Sequence, residues 1–439
     1  MQTTQRPKVV IIGAGFGGLQ TALGLVNQAV DVLLIDRNNY HLFTPLLYQV
    51  ATCGLDPSDI AYPVRGIVRK QRNLQFRLGE VTAIDPDSRA ITIREASGDV
   101  HIEPYDYLVI ASGSTNNYFG NPDIQKHGFG MKDLDEALTL RNHILRLFEQ
   151  AAWVDEVETR RALTTLVVVG GGPTGIETAG ALYELYNFVV KREYSHIRDM
   201  DARVILLEAT DRLLAPYPEK LRQAALDQLR SLGVEVLLNA KVQSVDAEQV
   251  SLADGRSITT HTLVWAAGVQ ASPLAAMLNV PLERGGRIPV APSLEVMGRE
   301  RIYALGDIAH LINPNDQQPY PQVILVAKQQ GKRTAHNILK SIAGQPQTAF
   351  AYYDRGIMAT IGRQRAVAYP FNRIQLTGWL AWVTWLGLHL LWLMGFRNQA
   401  SVFINWVWNY LTYDRSVRII VRPASIPVKQ PDVPAKEGA

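Results

Sequence analysis

Two short glycine-rich stretches hold the residues best placed to do chemistry in this 439-residue chain. The first is Gly13-Ala-Gly15-Phe-Gly-Gly18, followed by Asp36. The second is Gly170-Gly-Gly172-Pro-Thr-Gly175, followed by Glu208. A Gly-x-Gly-x-x-Gly turn lets the backbone approach a pyrophosphate, at a helix start whose free amides and dipole favour anions. An acid at the end of the next strand can accept hydrogen bonds from ribose hydroxyls. A lone glycine triplet is weak evidence, because a tight turn needs the same residues. The full order of strand, triplet, helix, strand and acid is much more specific. Glu208 would repel a 2′-phosphate and so favours NADH over NADPH, a preference that nearby Arg212 could soften. Its alternative role is that of a solvated strand-end carboxylate. Two nicotinamides in one chain would have no simple redox chemistry, whereas a flavin and a nicotinamide would exchange a hydride.

The elements that must hold these motifs read as two α/β units. Residues 8–12 are a β-branched run ended by glycine, as expected of a buried parallel strand. A helical pattern follows to residue 25, then a second strand over 30–35. Residues 166–170, 176–190 and 203–208 repeat the order strand, helix, strand. Alternating strands and helices imply parallel sheets with right-handed crossovers. Between the units, 74–110 contains alternating strands separated by turns. Residues 108–113, 263–268 and 301–307 each read as a buried strand closed by small residues.

Composition narrows the function classes. Hydrophobic residues make up 47% and charged residues 19%, enough apolar content for a large core and too much for disorder. Net charge is only +3, which argues against a nucleic-acid partner. The single cysteine, Cys53, cannot form an internal disulfide or a redox-active pair, and no His/Cys/Asp cluster has metal-ligand spacing. The N-terminus lacks a signal-peptide pattern, leaving the cytoplasm as the default compartment.

All but two of the eight tryptophans fall between Trp379 and Trp408. Residues 374–396 carry no charged side chain, Arg373 and Arg397 bracket them, and 398–413 is uncharged too. Three readings compete: a buried helix or dimer face, a membrane-spanning helix, or a pair of helices lying in the membrane interface. Thr377, Gly378, Thr384, Gly387 and His389 interrupt the run, and the tryptophans are spread along it. Both features favour helices lying on the surface.

Gly13–Gly18, the block from Asp36 through Tyr40-His-Leu-Phe-Thr-Pro-Leu-Leu-Tyr-Gln49, Gly170–Glu177, Trp265-Ala-Ala-Gly268 and Tyr303-Ala-Leu-Gly-Asp307 together resemble the type II NADH dehydrogenases. These are non-pumping NADH:quinone oxidoreductases of the two-dinucleotide-domain flavoprotein superfamily. The resemblance covers about residues 8–422. It implies two Rossmann-like α/β domains, one for non-covalent FAD and one for NADH as substrate, plus a C-terminal helical membrane-binding segment. The implied division is 1–120 and 286–370 for FAD, with the quinone-site segment in the latter. Residues 121–160 would connect, 161–285 bind NADH, 371–422 anchor, and 423–439 form a loose tail.

By the same resemblance, cofactor contacts are expected at Thr44, Val81, Ala111, Gly113, Gly268, Gly306, Asp307 and Ala327. Asp307 would accept from the flavin ribityl chain; its plain alternative is a helix N-cap. Glu177 and Gln329 are the expected catalytic residues, Glu177 as a proton relay to the quinone. A carboxyl beside an apolar pocket holds its proton more tightly, which suits that role. The plain alternatives are interaction with the helix dipole for Glu177 and an exposed helix face for Gln329 and Gln330. The family often has another glutamine where this chain has Leu325. The implied partners are a membrane quinone, a membrane surface bound through 374–413, and a second copy of the chain. The implied location is peripheral, on the cytoplasmic face of the inner membrane. Competing functions are a soluble NAD(P)H-dependent flavin reductase with a protein acceptor, and a binding protein that NADH switches.

Overall fold

A computed structural model describes residues 6–195, 197, 202–412, 414–415 and 417–421; the expected tail at 423–439 lies outside them. The first sheet uses β1 (Lys8–Ile12), β2 (Asp31–Asp36), β3 (Leu74–Leu78), β4 (Tyr107–Ile110) and, from far downstream, β10 (Ile302–Ala304). They lie in the order β10-β4-β1-β2-β3, all parallel, with Val10 opposite Leu33 on one side and Leu108 on the other. Val9, Val10 and Ile11 are fully buried, as a strand covered on both faces requires. Helix α1 (Phe16–Gly24) crosses over from β1 to β2.

The second sheet repeats this plan with β5 (Gly128–Gly130), β6 (Thr165–Val169), β7 (Arg203–Leu207), β8 (Glu235–Leu237) and β9 (Thr262–Trp265). Its order is β5-β9-β6-β7-β8, again all parallel. Helix α2 (Pro173–Glu184) follows β6 and continues as a wider π-helical turn over Leu185–Val190. The helix expected over 176–190 is therefore present but changes pitch. Each unit also carries a three-stranded antiparallel sheet, Glu80–Asp85 with Ala90–Arg94 and Val100–Pro104 in one, Val242–Val245 with Gln249–Leu252 and Ser257–Thr259 in the other. The 121–160 segment does more than connect: it supplies β5 to the second sheet.

Beyond β10 the chain forms α3 (Ile324–Ile342), which lies against α1, and then the antiparallel pair β11 (Gly356–Gly362) and β12 (Arg365–Pro370). This pair packs on α2 of the second unit, where a Cβ at Gly180 would sit 1.6 Å from the Ile361 carbonyl oxygen.

The uncharged C-terminal run is broken into α4 (Gly378–Trp392) and α5 (Phe396–Thr412). The 15 residues of α4 rise about 22 Å, short of the ~30 Å hydrocarbon core. Among the described residues no helix is long and apolar enough to cross a membrane. Gly395 makes the corner between them with φ +87°, and a Cβ there would strike the Tyr62 ring at 2.4 Å.

Helix α5 is amphipathic in the reverse sense. Its polar stripe faces the protein. Asn398 donates to the carbonyls of Ser58 (2.9 Å) and Asp59 (3.0 Å), Ser401 to the Asp59 carboxylate (2.6 Å), Asn405 to its other oxygen (3.2 Å) and Asn409 to the Gly54 carbonyl (3.3 Å). Phe396, Phe403, Ile404, Val407, Trp408 and Leu411 are exposed instead. Trp379, Leu380, Val383 and Leu391 of α4 are exposed as well. A soluble protein turns such helices the other way round.

Candidate active site

Both glycine loops are built by the same steric logic. Gly13 has φ +102°, and a Cβ there would lie 2.4 Å from the Ala111 carbonyl oxygen; at Gly18 it would lie 1.9 Å from the Gly13 carbonyl oxygen. Only glycine permits the turn and the close packing of helix on strand. Gly15 differs, because nothing lies within 4 Å of its missing side chain. That open space is where a pyrophosphate could meet the backbone. Gly170 (φ +117°), Gly175 and Gly172 take the same three parts in the second loop, against Ala266, Gly170 and open space.

The acids match too. Asp36 accepts from the Ala14 amide at 2.6 Å and the Asn38 amide at 2.7 Å. Burial raises its pKa, and these two bonds partly offset the effect. Glu208 accepts from the Gly171 amide at 2.6 Å and from the Thr210 amide at 2.7 Å and its hydroxyl at 2.8 Å. Each acid thus sits beside its own loop, at the end of the strand after the crossover helix. Arg212 pairs with Asp211 at 2.6 Å.

At the far end of the first cradle the chain turns at Gly306, φ +73°. The Gly306 amide donates to Gln330 Oε1 at 2.7 Å. The Asp307 carboxylate accepts from the Ser114 hydroxyl at 2.5 Å and from Lys132 Nζ at 3.1 Å. It does not cap a helix. Ala327 lies between this turn and α1, close to both Gly306 and Gly17. Ala111 and Gly113 close β4 next to Gly13, and Val81 is buried in the strand after β3. Thr44 opens the short turn Thr44–Leu46. Gly268 (φ +146°) closes β9 of the second unit, where a Cβ would lie 3.5 Å from the Phe119 ring. Inward of the first loop, His41 Nδ1 meets the Ala14 carbonyl at 2.9 Å and its ring stands edge-on to Phe16.

Glu177 lies early in α2. It is partly exposed, yet protein crowds its carboxyl and desolvation pushes the pKa up to about 8, against opposing effects from the Thr360 amide (3.3 Å) and Trp385. Tyr48 and Tyr217 stand near enough to feel its charge. From Tyr48 a hydrogen-bonded chain leads outward: Trp406 Nε1 donates to Gln49 Oε1 at 2.8 Å, and Gln49 Nε2 donates to the Tyr48 hydroxyl at 2.9 Å. Gln329 has both amide atoms engaged by the Tyr353 backbone, 2.9 Å each way. Lys328 beside it lies over the Trp392 ring of α4.

Several residues of this region were not singled out from sequence as partners of the site: Ser114, Lys132, Thr360 and Trp385. The exposed helix face that was the plain alternative for Gln330 does not hold, because Gln330 is 2% exposed and bonded to the Gly306 turn. Its partner lies 24 positions away, so no local pattern marks it.

Residues 7–331 match the pyridine nucleotide-disulphide oxidoreductase family. The chain is 40% identical over 425 residues to the type II NADH:quinone oxidoreductase Ndh of Mycobacterium tuberculosis, covering 94% of this chain and 90% of that one. An internal alternative NAD(P)H-ubiquinone oxidoreductase A1 of Solanum tuberosum mitochondria is 31% identical, with 92% and 87% covered. Among solved structures, NDH2 from Plasmodium falciparum in complex with NADH superimposes with a TM-score of 0.86 over 95% of this chain and 100% of that chain, at 20% identity.

Proposed function

The chain belongs to the pyridine nucleotide-disulphide oxidoreductase family and, within it, to the type II NADH:quinone oxidoreductases; on that premise we propose that it oxidises NADH and reduces a membrane quinone while attached to the lipid surface. The first cradle, with Gly13, Gly15, Gly18, Asp36 and Asp307, would hold FAD non-covalently. The second, with Gly170, Gly172, Gly175 and Glu208, would hold NADH. The open space at Gly15, beside a helix start and a strand-end acid, fits a pyrophosphate and ribose. Bound there, a flavin supplies the capacity to take up a hydride from nicotinamide and to pass on two electrons.

The chain's own part is to bind, orient and manage protons. Lys132 and Ser114 fix the Asp307 carboxylate, and Gln330 fixes the turn that carries it. Glu177 keeps its proton near neutral pH, so it can donate one to a quinone oxygen as that oxygen gains electrons. Gln329 would act beside the quinone through the loop it clamps at Tyr353. No route for protons across a membrane is part of the reading, which makes the reaction non-pumping.

The observation that carries the proposal is the reversed polarity of α5: its amides bond inward and its aromatic and aliphatic side chains face out. Lipid is the solvent that suits that face. A quinone keeps its tail in lipid, so an enzyme lying on the surface can receive the head group directly. Residues 374–413 are the attachment, and the cytoplasmic face of the inner membrane is the location we assign. A homodimer belongs to the same proposal and is tested by sedimentation.

The test is steady-state oxidation of NADH, and separately NADPH, by FAD-loaded protein with a short-chain quinone, with and without liposomes. Fast NADH-dependent quinone reduction with weak NADPH use is expected. Flavin bleaching by NADH without quinone reduction would overturn the quinone assignment and leave a reductase for a protein acceptor.

A further inference from the structure

We propose that Trp385 is a positioning residue for Glu177: its indole N–H, carried on the lipid-facing helix α4, receives the Glu177 carboxylate when that group gives up its proton. The proposal deepens the reading of Glu177 as the proton donor and rests on it.

Four observations meet at this point. Trp385 is 1% exposed, and among the described residues its Nε1 has no hydrogen-bond partner. A buried N–H without a partner is costly, so its presence calls for an explanation. Helix α4 packs on β11, the strand whose Thr360 amide meets Glu177, and the Trp385 indole is among the groups that favour the ionised Glu177 carboxyl, although its N–H lies outside hydrogen-bond geometry. The other donor to Glu177, the Thr360 amide, is long at 3.3 Å. The ring is also locked in place, stacked on His389 at 4.0 Å between centroids and flanked by Trp406 and Tyr48. A neutral acid accepts weakly, whereas a carboxylate accepts strongly. The N–H is therefore poised for the state that follows proton transfer.

The proton balance is simple. The Glu177 O–H bond breaks and the proton goes to the reduced quinone's oxygen. The carboxylate then accepts from Trp385, whose own N–H bond stays intact. Among the described residues, only burial, the Thr360 amide and Trp385 shift the pKa of the Glu177 carboxyl. Tyr48, from the short helix Leu47–Ala51, and Tyr217, from the loop before Glu219–Leu232, are both held protonated by burial. His389, behind Trp385, is pushed down to about 4 by burial and stays neutral. Glu184, two turns along α2, is paired with Arg415 at 3.3 Å. Glu177's proton affinity is thereby tied to α4, and α4 presents Trp379, Leu380 and Val383 to the outside.

The experiment uses full-length, FAD-loaded protein in liposomes. Infrared difference spectra follow the protonated Glu177 carboxyl against pH, with Glu177→Gln identifying its band. Trp385→Phe keeps an aromatic ring and deletes the donor. Its midpoint should rise by about one pH unit, since a hydrogen bond to the charged form lowers an acid's pKa. Trp385→Gln, which restores an N–H, should return the midpoint most of the way. In turnover, the alkaline fall of quinone reduction should move upward in parallel for Trp385→Phe, and the added substitution should move nothing in Glu177→Gln. An unchanged infrared midpoint in folded Trp385→Phe overturns the proposal, as does a shift that persists without Glu177. If Trp385→Phe loses flavin, the benzothienyl analogue at 385, with sulfur in place of the nitrogen, asks the same question with the ring shape kept. Should Glu177→Gln keep the parent's pH profile, the donor role of Glu177 fails, while the infrared midpoint still decides whether Trp385 acts on it.

Discussion

The two dinucleotide cradles are near copies in backbone and unlike in what covers them. In each, the last glycine of the triplet packs within 2 Å of the first one's carbonyl, counting an added Cβ, and the acid holds the amide after the first glycine at 2.6 Å. The first cradle is covered by α3, whose Gln330 and Ala327 pin the Gly306 turn. The second is covered by the β11–β12 pair, and α4 lies on that. Helix α2 thus carries Glu177, an acid whose pKa burial raises, towards an element that turns Trp379, Leu380 and Val383 outward. Shared backbone sets what kind of ligand is held; the cover sets what that ligand can do.

If the cradles are independent, each can be broken alone. Gly18→Ala should yield protein without retained flavin, because a Cβ 1.9 Å from a carbonyl oxygen has no space to move into. Gly175→Ala should keep flavin absorbance and lose NADH-dependent bleaching. Flavin loss from both variants would show that the cradles stand or fall together. The next largest effect concerns the outward apolar face of α5. Phe403→Glu with Ile404→Glu removes two exposed apolar side chains, worth about 1.5–3 kcal/mol each on burial, so liposome partitioning should drop at least ~100-fold. Turnover with a water-soluble quinone analogue should persist; if partitioning is unchanged, α5 is not the attachment.

Glu208→Gln probes the proposed preference for NADH over NADPH. The preference should narrow about tenfold, read as the ratio of the two kcat/KM values. An equal loss for both cofactors would make Glu208 a loop support only. The smallest effect is thermodynamic. Glu177 is raised from 4.5 to about 8 on folding, so between those values the folded chain holds more protons than the unfolded one. Stability therefore falls as pH rises through that window. Glu177→Gln should lose less stability than the parent between pH 6 and 9, by about 1 kcal/mol because the side chain is partly exposed, a few degrees in Tm. Parallel Tm curves would remove the raised acid.

What could be read from the chain alone follows how local each cause is. The cradles depend on a few adjacent residues and an acid one strand on, so Gly13, Gly170, Asp36 and Glu208 stand where spacing puts them. Strand β5, Gly-Phe-Gly, carries no strand signal at all; its pairing with β9 makes it one. The C-terminal run gave three readings because it is apolar almost all round, and its helical period says little about direction. Asn398, Ser401, Asn405 and Asn409 do form a stripe in sequence. Only its partners around Gly54, Ser58 and Asp59, more than three hundred residues earlier, show that the stripe points inward. Trp385 and Gln330 were hidden for the same reason: what each meets is brought there by the fold.

The late arrival of β10 has a consequence for how the chain is made. All five strands of the second sheet lie between residues 128 and 265, whereas the first sheet, begun at Lys8, is closed by β10 at Ile302–Ala304. A chain leaving the ribosome has all strands of the second sheet first and leaves the earlier-translated sheet one strand short until β10 emerges. The sheet begun first is closed last, so on the proposed assignment the first cradle would hold flavin only once β10 has joined it.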